Sequence, residues 1–322
     1  MLKHRGREVS VAFAILLLTI VLAFTTDGYF SRENLTDMFL ANLPVLIASI
    51  GATLVILTGE IDISVGSVFA ICGVVAGVVA KLSAPTAWAG LAACLVGAGL
   101  GAANGALVAY WRIPSIVVTL AAMVALRDAL RWVTQGAWVT DLPPGFQWLG
   151  LTQGSFPVVM GVVGSLLLAA VAWGMRNVAA GRAIYATGSN PDAARLTGIN
   201  TSLVRFAVFV VGGTLTGAAA VLNSVRFTQI PPNAGLGLEM KVIASVVVGG
   251  TAITGGQGTL VGTLLGVVLL GAIGPALTFL GVNAYWERAI QGGIILMAVA
   301  VDALRGASKS IRHPRAIHLA RV

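Results

Sequence analysis

Two carboxylates, Glu60 and Asp62, stand in the segment Gly59-Glu60-Ile61-Asp62-Ile63-Ser64-Val65-Gly66-Ser67. Apolar runs flank them, Leu43 to Leu57 before and Val65 to Val79 after. A charge at the centre of a bilayer costs roughly 3 kcal/mol on insertion scales, so acids placed here need a reason. Three chemistries suit them: an ion or proton site, a polar gate on a translocation path, or a cap on the free N–H groups that open the next helix. Alternate residues of an extended segment point to opposite sides, which argues against a tight catalytic pair. Asp62 and Ser64 come just before the second apolar run, where a cap would sit.

Other chemistry is excluded by what the chain lacks. No Gly-Lys-Ser/Thr occurs, so there is no phosphate-binding loop of the Walker kind. His4, His313 and His318 fall in the terminal tails, and Cys72 and Cys94 fall inside apolar spans with no Cys-x-x-Cys. Neither a catalytic centre nor a metal or cofactor site can be assembled from them. Thr254-Gly255-Gly256-Gln257-Gly258 looks like the Ser-Gly-Gly-Gln signature of transport ATPases. Without a Walker loop, and between apolar runs, it reads as a tight turn or helix break.

The elements that must position these residues are membrane spans. The 322 residues are 57% hydrophobic and 10% charged, against about 25% charged in soluble domains. An all-α polytopic membrane protein follows. With ~20 residues per crossing, about ten spans are expected: 9–26, 40–58, 64–81, 86–110, 115–133, 156–175, 203–224, 241–254, 259–281 and 286–303. The first resembles a signal peptide but lacks a good Ala-x-Ala-like site, so it reads as an uncleaved helix. The eighth is short and interrupted by Gly249 and Gly250, hence broken or re-entrant. This division leaves a cytoplasmic tail 1–8, a transmembrane domain 9–303 and a basic cytoplasmic tail 304–322. With the N-terminus inside, Arg32, Lys81, Arg127, Arg131, Arg226, Lys241 and Arg288 fall outside, leaving thirteen of the twenty Lys and Arg on the inner side. That excess is the expected direction. Both termini are then cytoplasmic, and so is the loop 176–202.

That loop carries a helix signature. Asn190 suits an N-cap, Pro191 the first helical position and Gly198 the left-handed residue after a helix end. Two turns are unstable alone, so the 190–198 helix needs a surface, either on the chain itself or on a partner. A looser pattern links Val55 to Ser64 with Val246 to Thr254. Each ends an apolar span at a glycine and a hydroxyl residue, as in the paired interrupted helices of transporter repeats.

Together these segments resemble the permease subunits of bacterial ABC importers for monosaccharides, of the ribose-permease type. Gly59 to Ser67 resembles that family's Gly-Gly-Ile-Asp-Leu-Ser-Val-Gly-Ser, with Glu60 in place of a frequent glycine. Ile113-Pro114-Ser115-Ile116-Val117-Val118-Thr119-Leu120 resembles its Pro-x-Phe-Ile-Val-Thr-Leu stretch. Gly181 to Gly198 resembles its Gly-Arg-x-Ile-Tyr-Ala loop, and Ile243 to Gly262 its Gly-Gly-Thr…Gly-Gly-x-Gly-Thr segment. The match runs over roughly residues 35–300.

The resemblance implies a non-enzymatic subunit that pairs with a second permease, the same or paralogous. It also implies a periplasmic sugar-binding protein and two cytoplasmic ATPases, on which ATP and Mg reside. Asp192-Ala193-Ala194…Gly198 resembles the Glu-Ala-Ala-x-x-x-Gly coupling motif, which implies that Asn190, Pro191, Asp192, Ala193, Ala194, Arg195 and Gly198 meet the ATPase. Glu60, Asp62, Ser64, Gly66, Gly250, Thr251, Thr254 and Gly255 are then expected to shape the path or its gates. The alternative is a proton-coupled secondary transporter using Glu60 or Asp62.

Overall fold

The computed structural model describes residues 2–82, 85–283, 285–294 and 296–297, with side chains from residue 8 onward. Among these, all regular elements are helical, and strand geometry is confined to one bridge between Val139 and Ile230. The helices are α1 (Leu2–Thr25), α2 (Arg32–Leu57), α3 (Val65–Lys81), α4 (Thr86–Ala109), α5 (Ser115–Thr134) and α6 (Ser155–Asn177). After them come α7 (Ala179–Ser189), α8 (Pro191–Leu196), α9 (Thr201–Ser224), α10 (Leu238–Val248) and α11 (Leu260–Phe279). Residues 286–294 and 296–297 are helical too. The rest of the expected tenth span, and the tail 304–322, lie outside the described residues.

Six of these helices, α1, α2, α4, α6, α9 and α11, are long and apolar enough to cross a membrane. α1 begins at Leu2, so residues 2–8 are helical and continuous with the first expected span. α2 sits at the centre, buried along most of its length, with α9 beside it. α9 also packs on α3 and α4, and glycine makes the α4 contact close. Gly97 and Gly101 of α4 face Phe209, Gly213 and Gly217 of α9, so that a Cβ on any of these glycines would strike the opposite backbone. Small residues four apart are how helices in lipid gain van der Waals contact without a hydrophobic drive.

The expected span 241–254 is not one helix. α10 holds 11 residues, roughly 16 Å of rise against a hydrocarbon core of about 30 Å. It stops at Gly249, and Gly250 follows with φ +98°, a conformation glycine takes without a Cβ penalty. Apolar residues continue beyond the stop, so hydropathy alone extends the span too far. Ahead of α10, residues 226–237 are non-helical and descend along α3. Ile230 packs beside Gly73 and Gly77, and Gly235 meets Gly66. That path follows α3 for roughly 16 Å. Irregular backbone at such depth must be covered by protein or line a water-filled space.

Arg127 and Lys241, expected on the outer side, belong to helices. Arg127 lies within α5, 7% exposed, with Nη1 donating to the carbonyl of Ala234 at 2.9 Å. Charge counting along the sequence treats any basic residue near a span end as a loop residue, and here the descending segment comes down to meet it.

Candidate functional site

The four sequence motifs are far apart in the chain and meet at one end of the bundle. α2 ends at Leu57, and its carbonyl accepts from the Gly256 backbone N–H at 2.8 Å. Gly188, near the end of α7, presses between these two groups. A Cβ there would fall on the Leu57 carbonyl and 2.6 Å from the Gly256 nitrogen. Gly255 stands against Gly59, and Gly256 against Ser189. Tyr185 of α7 donates its hydroxyl to the Gly258 carbonyl at 2.9 Å. Burial pushes the Tyr185 phenol above its ordinary range, which keeps it a donor. The two segments that echo each other in sequence thus lie side by side, with α7 wedged against both.

Glu60 points to α9. Its carboxylate stands 3.1 Å from Arg205 Nε, with side chains 12% and 23% exposed. The contact lies off the hydrogen-bond axis of that nitrogen, so charge attraction holds it. Removing the carboxylate leaves a half-buried guanidinium, at a cost of about 2 kcal/mol. Glu60→Arg is therefore expected to lower the melting temperature in detergent, and adding Arg205→Glu to restore it. A double variant no more stable than Glu60→Arg alone would refute the pairing.

Asp62 does not cap α3 in the expected way. Its Oδ1 accepts from the Ser64 backbone N–H at 2.8 Å and from Ser64 Oγ at 2.6 Å. Ser64 is the residue before α3, and its own side chain caps no helix N–H. Asp62 thus tightens the turn into the helix, a local competition typical of Asp, and the free N–H groups of the helix are not its partners. Ser64 Oγ also accepts from Asn104 of α4 at 2.9 Å. The second motif grips the same strand of chain. Ser115 Oγ accepts from the Ile61 N–H at 3.1 Å, and Thr119 Oγ1 donates to the Ile61 carbonyl at 3.2 Å.

The remaining expected path residues separate into two places. Gly250, Thr251, Thr254 and Gly255 form the turn between α10 and α11, with Thr251 fully buried and Thr254 exposed. Gly66 lies deeper, where its missing Cβ leaves room for the Glu239 carboxylate and the Gly235 carbonyl. Sequence reasoning missed Arg127 and Glu239, both beside Gly66; an arginine and a glutamate buried among apolar helices were the available signal.

The 190–198 segment is the helix α8. Asn190 Oδ1 accepts from the N–H groups of Asp192 and Ala193 at 3.1 and 3.0 Å, Pro191 opens the first turn, and Gly198 follows at φ +85°. Ala194 is buried, Arg195 Nε donates to Thr201 Oγ1 at 2.9 Å, and Leu196 is 90% exposed. α7, which precedes it, was not expected as a helix. Its signal was Gly181, Ile184, Tyr185 and Gly188 at helical spacing, masked by small residues that read as loop. Among the described residues, no cluster of His, Cys, Asp or Glu could hold a metal ion.

Comparison with known proteins points to a membrane permease. The family model described as branched-chain amino acid transport system / permease component matches residues 34–299. The chain is 37% identical over 304 residues to the autoinducer 2 import system permease protein LsrC of Yersinia pseudotuberculosis serotype O:1b (strain IP 31758), covering 93% of this chain and 85% of that one. It is 36% identical over 295 residues to the ribose import permease protein RbsC of Escherichia coli (strain K12), covering 90% and 91%. No solved structure matches it. With its apolar helices, its broken α10 and four motifs joined at one end, this multi-pass inner-membrane chain belongs to that permease family.

Proposed function

We propose that this chain is the membrane-spanning subunit of an ABC importer for a monosaccharide or a sugar-like signal of the ribose or autoinducer 2 kind. The names of the relatives support the substrate class. The reading includes ten crossings with both termini in the cytoplasm, a second permease copy or paralogue, a periplasmic binding protein, and ATP hydrolysis on a separate chain docked at α8. The observation that carries it is the joint itself: α8 stands outside the bundle with Leu196 exposed, and α7 links it to both helix breaks. Motion imposed on α8 would reach the α2–α3 turn and the α10–α11 turn together.

A proton-coupled transporter has less support, because both candidate acids are engaged, Glu60 with Arg205 and Asp62 with Ser64. The test is uptake by the complex reconstituted with an ATPase and a binding protein. Uptake is expected to need ATP and to survive collapse of the proton gradient at constant ATP; the reverse result would reject the reading. Leu196→Glu is expected to weaken ATPase association about tenfold, as loss of a central apolar contact does. Unchanged co-purification would remove α8 as the docking helix.

A further inference from the structure

Arg127 of α5 and Glu239, in the first turn of α10, face each other across Gly66. Arg127 Nη1 donates to the Ala234 carbonyl at 2.9 Å. Glu239 Oε1 accepts from the Gly237 N–H at 3.2 Å. Its second oxygen, Oε2, is buried and, among the described residues, accepts no hydrogen bond. Yet the point where Gly66 lacks a Cβ is met by Glu239 Oε2 and also by Arg127 Nη2, 3.2 Å from it. A buried carboxylate oxygen thus stands beside a guanidinium without bonding to it.

Such an arrangement is costly to keep. A buried charge needs hydrogen bonds on its remaining lone pairs, and ionisable residues within the helices of a membrane chain mark function. A pair that served packing alone would be closed. An open pair, with space left by a glycine between its members, suits an element that has two bonded positions. α10 can be that element. Its far end runs into the turn 249–258, which packs on α7 through Gly256 and Tyr185. Motion of the α7–α8 joint is therefore carried along roughly 16 Å of helix to Glu239. Ala234 and Glu239 both line a cavity of about 960 Å³ between segment 226–237, α2 and α10, so a change of partner by Arg127 reshapes its wall.

We propose that Arg127 is a positioning residue for transport that exchanges partners. It holds segment 226–237 through the Ala234 carbonyl in this state, and it takes the Glu239 carboxylate when the joint draws α10 across Gly66. The exchange rests on the permease reading for its driving force. What it requires of Glu239 is charge in the second state; in the first, only Oε1 is bonded.

The test separates stability from uptake. Glu239→Gln keeps an oxygen for the Gly237 N–H and nearly the same volume, and it removes the charge. The purified variant is expected to melt at or above the wild-type temperature in detergent, because no bond to Oε2 is lost. Its ATP-driven uptake in the reconstituted importer is expected to fall at least about tenfold, as loss of one charge-assisted hydrogen bond in the moving state would do. In the Arg127→Gln background, Glu239→Gln should lower uptake no further. Arg131→Gln, one turn along α5 at an exposed site, should import as wild type does. Four results overturn the exchange. They are wild-type uptake by Glu239→Gln, a lowered melting temperature (a pair already closed), additive losses in the double variant, or an equal loss with Arg131→Gln. A wild-type complex that imports nothing with ATP rejects the permease reading and the exchange with it, so the wild-type arm tells the two failures apart.

Discussion

Gly188→Ala is expected to abolish uptake and to destabilise the folded chain by roughly 3–5 kcal/mol. The reason is where the added methyl group must go. All three nearest neighbours of a Cβ at Gly188 are backbone atoms: the oxygen and carbon of Leu57 and the nitrogen of Gly256. A side chain can turn aside; a carbonyl already accepting from the Gly256 N–H cannot move without breaking that bond. α7 would have to lift away from both turns, taking Tyr185 from the Gly258 carbonyl. Gly99→Ala is the control. Gly99 lies on α4 with open space around it, so alanine there should be neutral or stabilise by about 0.5–1 kcal/mol through helix propensity. Thermal unfolding in detergent and sugar uptake by the reconstituted importer measure both. A Gly188→Ala protein that melts with wild type would show that α7 is not packed at backbone distance.

Gly66→Ala is expected to cost about 3 kcal/mol, and unlike Gly188 it should be partly rescued. The new methyl group would meet the Glu239 carboxylate, the Gly235 carbonyl oxygen at 2.5 Å and Arg127 Nη2 at 3.2 Å. Two of these obstacles are ends of flexible side chains, and the Glu239 carboxylate is the nearer of them. Glu239→Ala in the Gly66→Ala background therefore removes part of the clash, and the two substitutions should be less than additive by about 1 kcal/mol. The backbone obstacle remains, because Gly235 holds φ +72° and its own Cβ position lies 2.7 Å from the Gly66 carbonyl. Strict additivity in the double-mutant cycle would mean that Gly66 and Glu239 do not touch.

The sequence shows its long helices and the short α8 for physical reasons. α4, α6, α9 and α11 are continuous apolar stretches, and a bilayer tolerates only backbone that satisfies itself. α8 is written in residues with local roles, Asn190 as cap, Pro191 at the first position and Gly198 after the end. Local chemistry of that kind needs no knowledge of the rest of the chain. The descending segment 226–237 is different. Its position depends on Gly66, Gly73 and Gly77 lying on one face of a helix about 160 residues earlier, and no window of sequence contains both. Glu60 and Asp62 show the same limit. Their alternation correctly separates them, but Arg205 and Ser64 as their partners follow only from the fold. Glu60 stands where the resembling family often has glycine, and it uses Arg205 of α9, a second position that spacing along the chain does not link to it.

The half-length of α10 also bears on how the protein is made. An insertion machine samples each segment as it leaves the ribosome, and it reads hydrophobicity over about 19 residues. α10 offers 11, with Glu239 and Lys241 in its first turn, and the segment before it is rich in Pro and Gly. Such a stretch has little power to partition into lipid alone. It must be drawn in by chain already in place, with α3 as the surface it follows and α11 as the neighbour that arrives after it. Biogenesis of this chain is therefore ordered from the N-terminal side, and a nascent chain that carries 226–248 but lacks α3 should leave that stretch outside the bilayer.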